Sequence, residues 1–189
     1  MKRKQKEKGS VAAVCQLRSG DVHPFGAMRS FRPLGGGEER VYREMREAIP
    51  VLDAAISKMV RLCGGFQVKC RDGQSQRKLN QFLLTMPCGR GQTGMDSFLS
   101  AYLDSLLIYG RAVGEMVVSG GKLRAVCWGD VTKLEVQEGE NALETVLWGM
   151  DSWGHMRPLP YQHLLLFTTM HPEPAHPYGV SMFRGMPFL

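Results

Sequence analysis

The stretch Met95-Asp96-Ser97-Phe98-Leu99-Ser100-Ala101-Tyr102-Leu103-Asp104-Ser105-Leu106-Leu107-Ile108-Tyr109-Gly110-Arg111-Ala112-Val113-Gly114-Glu115-Met116-Val117-Val118 decides the fold class. In its first part Met95, Leu99, Leu103 and Leu107 form one row at four-residue spacing, and Phe98, Tyr102 and Leu106 form the row beside it. That spacing predicts a helix with an apolar face, closed by Gly110. From Arg111 the apolar period changes to two, which predicts a strand over residues 111–118.

Working outward, the period of two persists to the C-terminal part. Strands are expected over residues 123–128, 131–136, 142–148 and 163–169. Ser119-Gly120-Gly121-Lys122 reads as a tight hairpin turn, and Glu138-Gly139-Glu140-Asn141 as another. On the N-terminal side, Val41, Met45, Ile49, Leu52, Ile56, Met59 and Cys63 recur every three to four residues, an apolar helical stripe from Glu38 onward. Glu38 and Glu39 in its first turn and Lys58 and Arg61 in its last complement the helix dipole. Pro50 interrupts it, so a kink is expected, or two helices with Pro50 opening the second. Gly64-Gly65 is the expected stop. Residues 66–70 alternate as a short strand, Arg71-Asp72-Gly73 is a turn, residues 74–85 a helix and residues 87–94 a glycine-rich loop. Helices first and strands afterwards give an α+β fold, N-terminal helices followed by an antiparallel β meander, not a doubly wound sheet.

The chain has 189 residues, enough for one domain with its own core. No apolar run is long enough to span a bilayer as a helix. The basic start lacks an apolar segment behind it and does not read as a secretory signal. The net charge of +6 is uneven: residues 1–8 hold five cations (Lys2, Arg3, Lys4, Lys6, Lys8) and one anion, leaving +2 for the rest. Residues 1–37, rich in Lys, Arg, Ser, Gly and Pro, read as a flexible basic arm, and residues 38–189 as the folded unit. The arm's five cations are nucleic-acid contact candidates, each adding roughly 0.9 to the salt slope of DNA binding; the plainer reading is a solubilising tail. Cys15, Cys63, Cys70, Cys88 and Cys127 are odd in number and lack a CxxC pair, so reduced, mostly buried thiols are expected rather than a disulfide framework or zinc ribbon.

No catalytic constellation emerges. Gly89-Arg90-Gly91-Gln92-Thr93-Gly94 matches GxGxxG, but the segment before it reads as helix, whereas a pyrophosphate cradle needs a strand there. His171, Glu173 and His176 carry metal-ligating chemistry, yet three interleaved prolines favour an extended connector. Glu115, inside an apolar strand, reads as a solvent-facing position or a partner of Arg111 or Lys122, over a catalytic carboxylate. Ser181 is not in a GxSxG elbow. Trp128 and Trp148 read as sheet core, with a base-stacking platform as the alternative. These readings imply no cofactor and no metal.

In this order, the helix carrying Ala48-Ile49-Pro50-Val51-Leu52-Asp53-Ala54-Ala55-Ile56, the Tyr109-Gly110 helix end and the segment Pro177-Tyr178-Gly179-Val180-Ser181-Met182-Phe183-Arg184-Gly185 resemble the N-terminal wing region of the portal proteins of tailed bacteriophages. The resemblance covers residues 38–189. It implies a non-enzymatic structural virion protein, a portal subunit forming the ring at the capsid vertex through which DNA is packaged and ejected. It implies self-association into a ring, non-specific contact with double-stranded DNA, and contacts with the large terminase subunit, capsid or scaffold proteins and head–tail adaptors. No membrane partner follows; assembly would occur in the bacterial host cytoplasm. Tyr42, Pro50, Asp53, Tyr109, Gly110, Pro177, Tyr178, Gly179, Ser181 and Arg184 are the motif positions, with expected roles in folding or assembly. Family members continue well past the point matching Leu189, so the resemblance also implies a partial subunit. The competing expectation is a small basic nucleic-acid-binding module without enzymatic activity.

Overall fold

A computed structural model describes residues 37–138, 145–151, 153–171 and 178–186. Pro50 does open a second helix: α1 spans Glu38–Ala48 and α2 spans Pro50–Cys63. Ile49 between them is extended, the conformation a following proline imposes. Pro50 itself sits at the first helical position, where its missing N–H costs nothing. α2 ends at Gly64, the expected stop, whose backbone is right-handed and whose N–H donates to Val60 O at 2.8 Å.

The expected strand over residues 66–70 does not form. Phe66 and Val68 stay exposed, and the backbone there is held instead by Gln76, whose amide accepts from Cys70 N at 2.6 Å and donates to Val68 O at 2.8 Å. Asp72 accepts from Gln74 N and Ser75 N and so caps α3 (Gly73–Thr85). Hydrogen bonding from the Ser75 hydroxyl and then from the backbone N–H groups holds its carboxyl below the usual range. The glycine-rich stretch is a small hairpin, β1 (Pro87–Gly89) and β2 (Gln92–Thr93), not a loop. Gly89 there lies so close to Trp128 that a Cβ would come within 2.8 Å of the indole Nε1. Packing against the neighbouring strand accounts for that glycine. Trp128 itself is 40% exposed and lies at the sheet surface, correcting its assignment to the core.

α4 (Met95–Tyr109) leads directly into β3 (Arg111–Ser119), as the change of period predicts. β3 pairs with β4 (Lys122–Gly129) through the Gly120-Gly121 turn. The continuous meander then breaks. Asp130 accepts hydrogen bonds from Thr132 N and Oγ1, winding Val131–Lys133 into a 3-10 turn where a strand was expected. The chain leaves to build a second sheet, β5 (Leu134–Glu138), β6 (Thr145–Met150) and β7 (Met156–Pro158), in that order. The expected turn at Glu138–Asn141 falls largely outside the described residues. After another 3-10 turn, Gln162–Leu164, β8 (Leu165–Thr169) returns to the free edge of β3. The fold is α+β with two antiparallel three-stranded sheets, β4-β3-β8 and β5-β6-β7.

β3 is the hub. Residues 111–115 are all buried, so both faces of the strand are covered. Gly114 faces α4, and a Cβ on it would come within 2.9 Å of Phe98. Val113, on the opposite face, packs with Val131, Leu134, Val136 and Leu147 of the second sheet. Glu115 shares the face of Val113 and is 2% exposed, which corrects its expected solvent-facing position. Phe98 belongs to a second cluster with Met86, Cys88 and Val126, and a third joins α1, α2, α4 and the C-terminal segment through Tyr42, Ile56, Val60, Ile108 and Phe183. The helical stripe was legible in part: Ile56 is buried as expected, Val41 and Ile49 remain exposed, and Tyr42 and Val60, outside the expected stripe, are buried. Among the described cysteines, Cys88 alone is buried; Cys63 is exposed and Cys70 and Cys127 are partly so. The expectation of mostly buried thiols is corrected. Burial of Cys88 pushes its thiol pKa up, which leaves it a weak nucleophile.

Candidate functional site

Of the motif positions scattered through the sequence, Tyr109, Gly110, Gly179 and Ser181 meet at the joint between α4 and β3, with Tyr42 and Tyr178 beside it. Helix α4 ends with carbonyls that have no partner within the helix. The C-terminal segment supplies them. Ser181 Oγ donates to Ile108 O, and Met182 N donates to Leu107 O at 3.2 Å. Ser181 Oγ also accepts from Phe183 N at 2.9 Å. One hydroxyl thus closes the helix and shapes the turn that seats Phe183. That ring is 2% exposed and meets Tyr42 of α1 edge to face, with centroids 6.1 Å apart.

Two glycines make this contact possible. Gly110 has φ 73° and Gly179 has φ 70°, both left-handed. A Cβ on Gly110 would meet Ser181 N at 2.6 Å and Val180 O at 2.7 Å; one on Gly179 would meet Gly110 O and, at 2.8 Å, Met170 O. The two backbones touch where side chains would stand. Met170, just past β8, completes the joint: its N–H donates to Gly110 O and its carbonyl accepts from Val180 N, each at 2.7 Å.

A charged and aromatic relay runs beside it. Arg111, 6% exposed, donates to Glu39 of α1 and lies over the ring of Tyr178 with Cζ 4.8 Å from the centroid. Desolvation raises the Glu39 carboxyl above its usual pKa despite the attraction of Arg111. The Tyr178 hydroxyl accepts from Val136 N at 3.2 Å and donates to Val136 O at 3.4 Å. It therefore covers the outer edge of β5, while Gln162 covers the same rung on the other side through Leu147 N and O at 2.9 and 2.8 Å. At this rung the backbone groups that would invite a stray strand are taken by side chains.

Asp53 lies apart from this joint. It receives Arg46 Nε at 2.7 Å, and the same arginine reaches both carboxylate oxygens of Asp104 on α4. That ties the α1–α2 elbow, with Pro50 exposed upon it, to α4. Tyr109 accepts from Arg43 at 3.2 Å and packs against two of the three clusters. Arg184 is exposed. Pro177, Glu173, His176, Cys15 and the cations of residues 2–8 lie outside the described residues. Sequence reasoning missed Glu39, Arg111, Arg46, Asp104 and Met170. The usable signal was Arg111, a cation opening an otherwise apolar strand.

The arrangement holds elements together. Ser181 already bonds a carbonyl and an amide, and among the described residues no acid–base partner is bonded to it. Ser181→Ala is expected to leave Ile108 O and Phe183 N without that hydroxyl and to destabilise the protein by about 1–3 kcal/mol, measured by urea denaturation. An unchanged midpoint would show that water replaces the hydroxyl.

No protein-family model matches the chain, and no curated protein matches it. Among solved structures it is similar to a chain from the neck of an empty gene transfer agent (GTA) particle computed with C6 symmetry, with a TM-score of 0.59 and 17% identity. The likeness covers 82% of this chain and 43% of that one, so this chain spans under half the length of its structural neighbour. At that identity the likeness is one of fold.

Proposed function

We propose that the chain is a structural, non-enzymatic virion protein, the wing-like part of a portal subunit in the ring at a capsid vertex. The observation that carries this reading is the fold likeness to a chain from the neck of a phage-like particle, which extends over 82% of this chain. The motif positions support it. Tyr109-Gly110 and Tyr178-Gly179-Val180-Ser181, which carry the resemblance to portal proteins, are joined backbone to backbone at the centre of the fold. Residues 1–37 are the arm and residues 38–189 the wing-like unit in this reading. Ring closure requires heterologous contacts, with different patches meeting on neighbouring copies. Exposed Arg184 belongs to such a contact. DNA, the large terminase subunit, capsid or scaffold proteins and head–tail adaptors are the partners, and the virion is the location, assembled in the host cytoplasm.

The test is the protein content of nuclease-resistant particles released from cells that carry the gene. Peptides of this chain are expected in the particle fraction, far below the major capsid protein in abundance, with labelled antibody at a single vertex. Particles that form in full number without this chain would sink the reading.

A further inference from the structure

Between α2 and the cap of α3, residues 65–70 run without helix, turn or bend, and residues 65–69 are exposed. The stretch carries strand chemistry: Phe66, Val68 and Cys70 alternate with Gln67, Lys69 and then Arg71. In such a chain the N–H and C=O groups of successive residues point to opposite edges. One edge is occupied. The Gln76 side chain accepts from Cys70 N and donates to Val68 O, and its Nε2 also reaches Asn80 Oδ1 at 2.8 Å, which fixes it along α3. The other edge carries the N–H and C=O of Gln67 and Lys69. Among the described residues nothing hydrogen-bonds them. An exposed strand edge of this kind is a template for a further strand.

The side chains set what pairs there. Phe66 and Val68 are each 41% exposed and offer an apolar face. Lys69 and Arg71, on the alternate positions, make no ion pair among the described residues. The acid beside them, Asp72, is turned to the amides of Gln74 and Ser75 at the start of α3. A second copy of the same segment would bring two more cations and no acid, since residues 64–71 contain none. Like charges across a strand pair are unfavourable.

We infer that this edge takes up an acidic, extended segment of a protein partner as an added strand. Its apolar side chains lie against Phe66 and Val68, and its carboxylates stand opposite Lys69 and Arg71. Backbone hydrogen bonds give the affinity and the alternating side chains the selectivity. Gln76 holds the receiving segment in place before the partner arrives, which lowers the ordering cost of binding. The inference does not rest on the virion reading.

The experiment measures binding of a labelled short peptide of alternating glutamate and valine to the full chain, by fluorescence anisotropy at low salt. The same peptide N-methylated throughout, and a peptide of alternating lysine and valine, are the controls. N-methylation removes the strand hydrogen bonds and leaves the charge, and it is expected to weaken binding at least about tenfold. Lys69→Glu turns an opposite-charge pair into a like-charge one and is expected to cost about tenfold in affinity. Gln67→Pro deletes an N–H on the open edge and is expected to weaken binding by a similar factor. Both variants should melt like the parent, because both side chains are exposed. In the complex, amide exchange followed by NMR should slow at Gln67 and Lys69 more than at Val68. If Gln67→Pro does not fold, the methylated peptide and Lys69→Glu decide. Undiminished binding of the methylated peptide shows charge attraction alone and overturns the inference. Equal binding of the lysine peptide overturns it too, as does a chain that dimerises through this segment and excludes the acidic peptide. No binding of the acidic peptide makes Lys69 a charge that blunts a free edge, and the inference falls.

Discussion

Gly179→Ala is expected to be among the most damaging single-methyl substitutions in this protein, costing roughly 2–6 kcal/mol. Two effects combine. A left-handed backbone disfavours any side chain, at about 1–3 kcal/mol. The added Cβ also runs into backbone oxygens of Gly110 and Met170, which cannot rotate away as a side-chain tip can, and overpacking of this kind costs about 1–3 kcal/mol more. The expected relief is release of the 178–186 segment. Phe183 would then leave its pocket against Tyr42, and the ends of α4 and β8 would lose their shared hydrogen bonds. The melting temperature should fall on the order of 10 °C. Hydrogen exchange should speed up at the Met170, Val180 and Met182 amides before the rest. Gly65→Ala is the matched control, because nothing lies within 4 Å of its Cβ position and its φ is not left-handed. If the two substitutions melt alike, the Gly110–Gly179 contact does not hold the fold together.

Arg111→Met is the second large effect, about 3–5 kcal/mol at neutral pH. It strands the buried Glu39 carboxylate and removes the cation over Tyr178. Breaking one side of a buried pair leaves the other charge uncompensated. The pH dependence has a definite sign. Glu39 is already raised above its usual value by desolvation, so the folded state holds its proton more tightly than the unfolded state does. Its contribution is fully present below the unfolded pKa and is lost as pH rises through the folded pKa. Without Arg111 the folded value rises further and that window widens upward. Stability of the variant, followed by denaturant midpoint, should therefore recover partly on acidification from neutral pH. Adding Glu39→Gln to Arg111→Met should return part of the loss at neutral pH and flatten the curve. A variant with the parent's pH profile would show that Glu39 does not feel Arg111.

Much of the secondary structure was legible because it rests on local periodicity. The rows along Met95–Tyr109 and the alternation after Arg111 set α4 and β3, and Pro50 announced a helix start. The misses share a cause. Residues 66–70 alternate like a strand, but no neighbouring strand offers partners there, and Gln76 takes the backbone groups instead. Residues 131–133 look extended, but the Asp130 side chain bends them within two residues. Trp128 reads as core until the small β1–β2 hairpin packs Gly89 against it at the sheet surface.

Local pattern alone carried the α+β class, the order of helices and strands, the two glycines of the joint and the motif positions that resemble a portal wing. Those are properties of single residues and of spacing along one element. The division of the strands into two sheets, with β3 buried between α4 and the second sheet, emerged only in the packed fold. So did the contact of Gly110 with Gly179 and the link from Glu39 through Arg111 to Tyr178. Each of these depends on contacts between residues far apart in the chain, and no local pattern encodes which distant group will arrive.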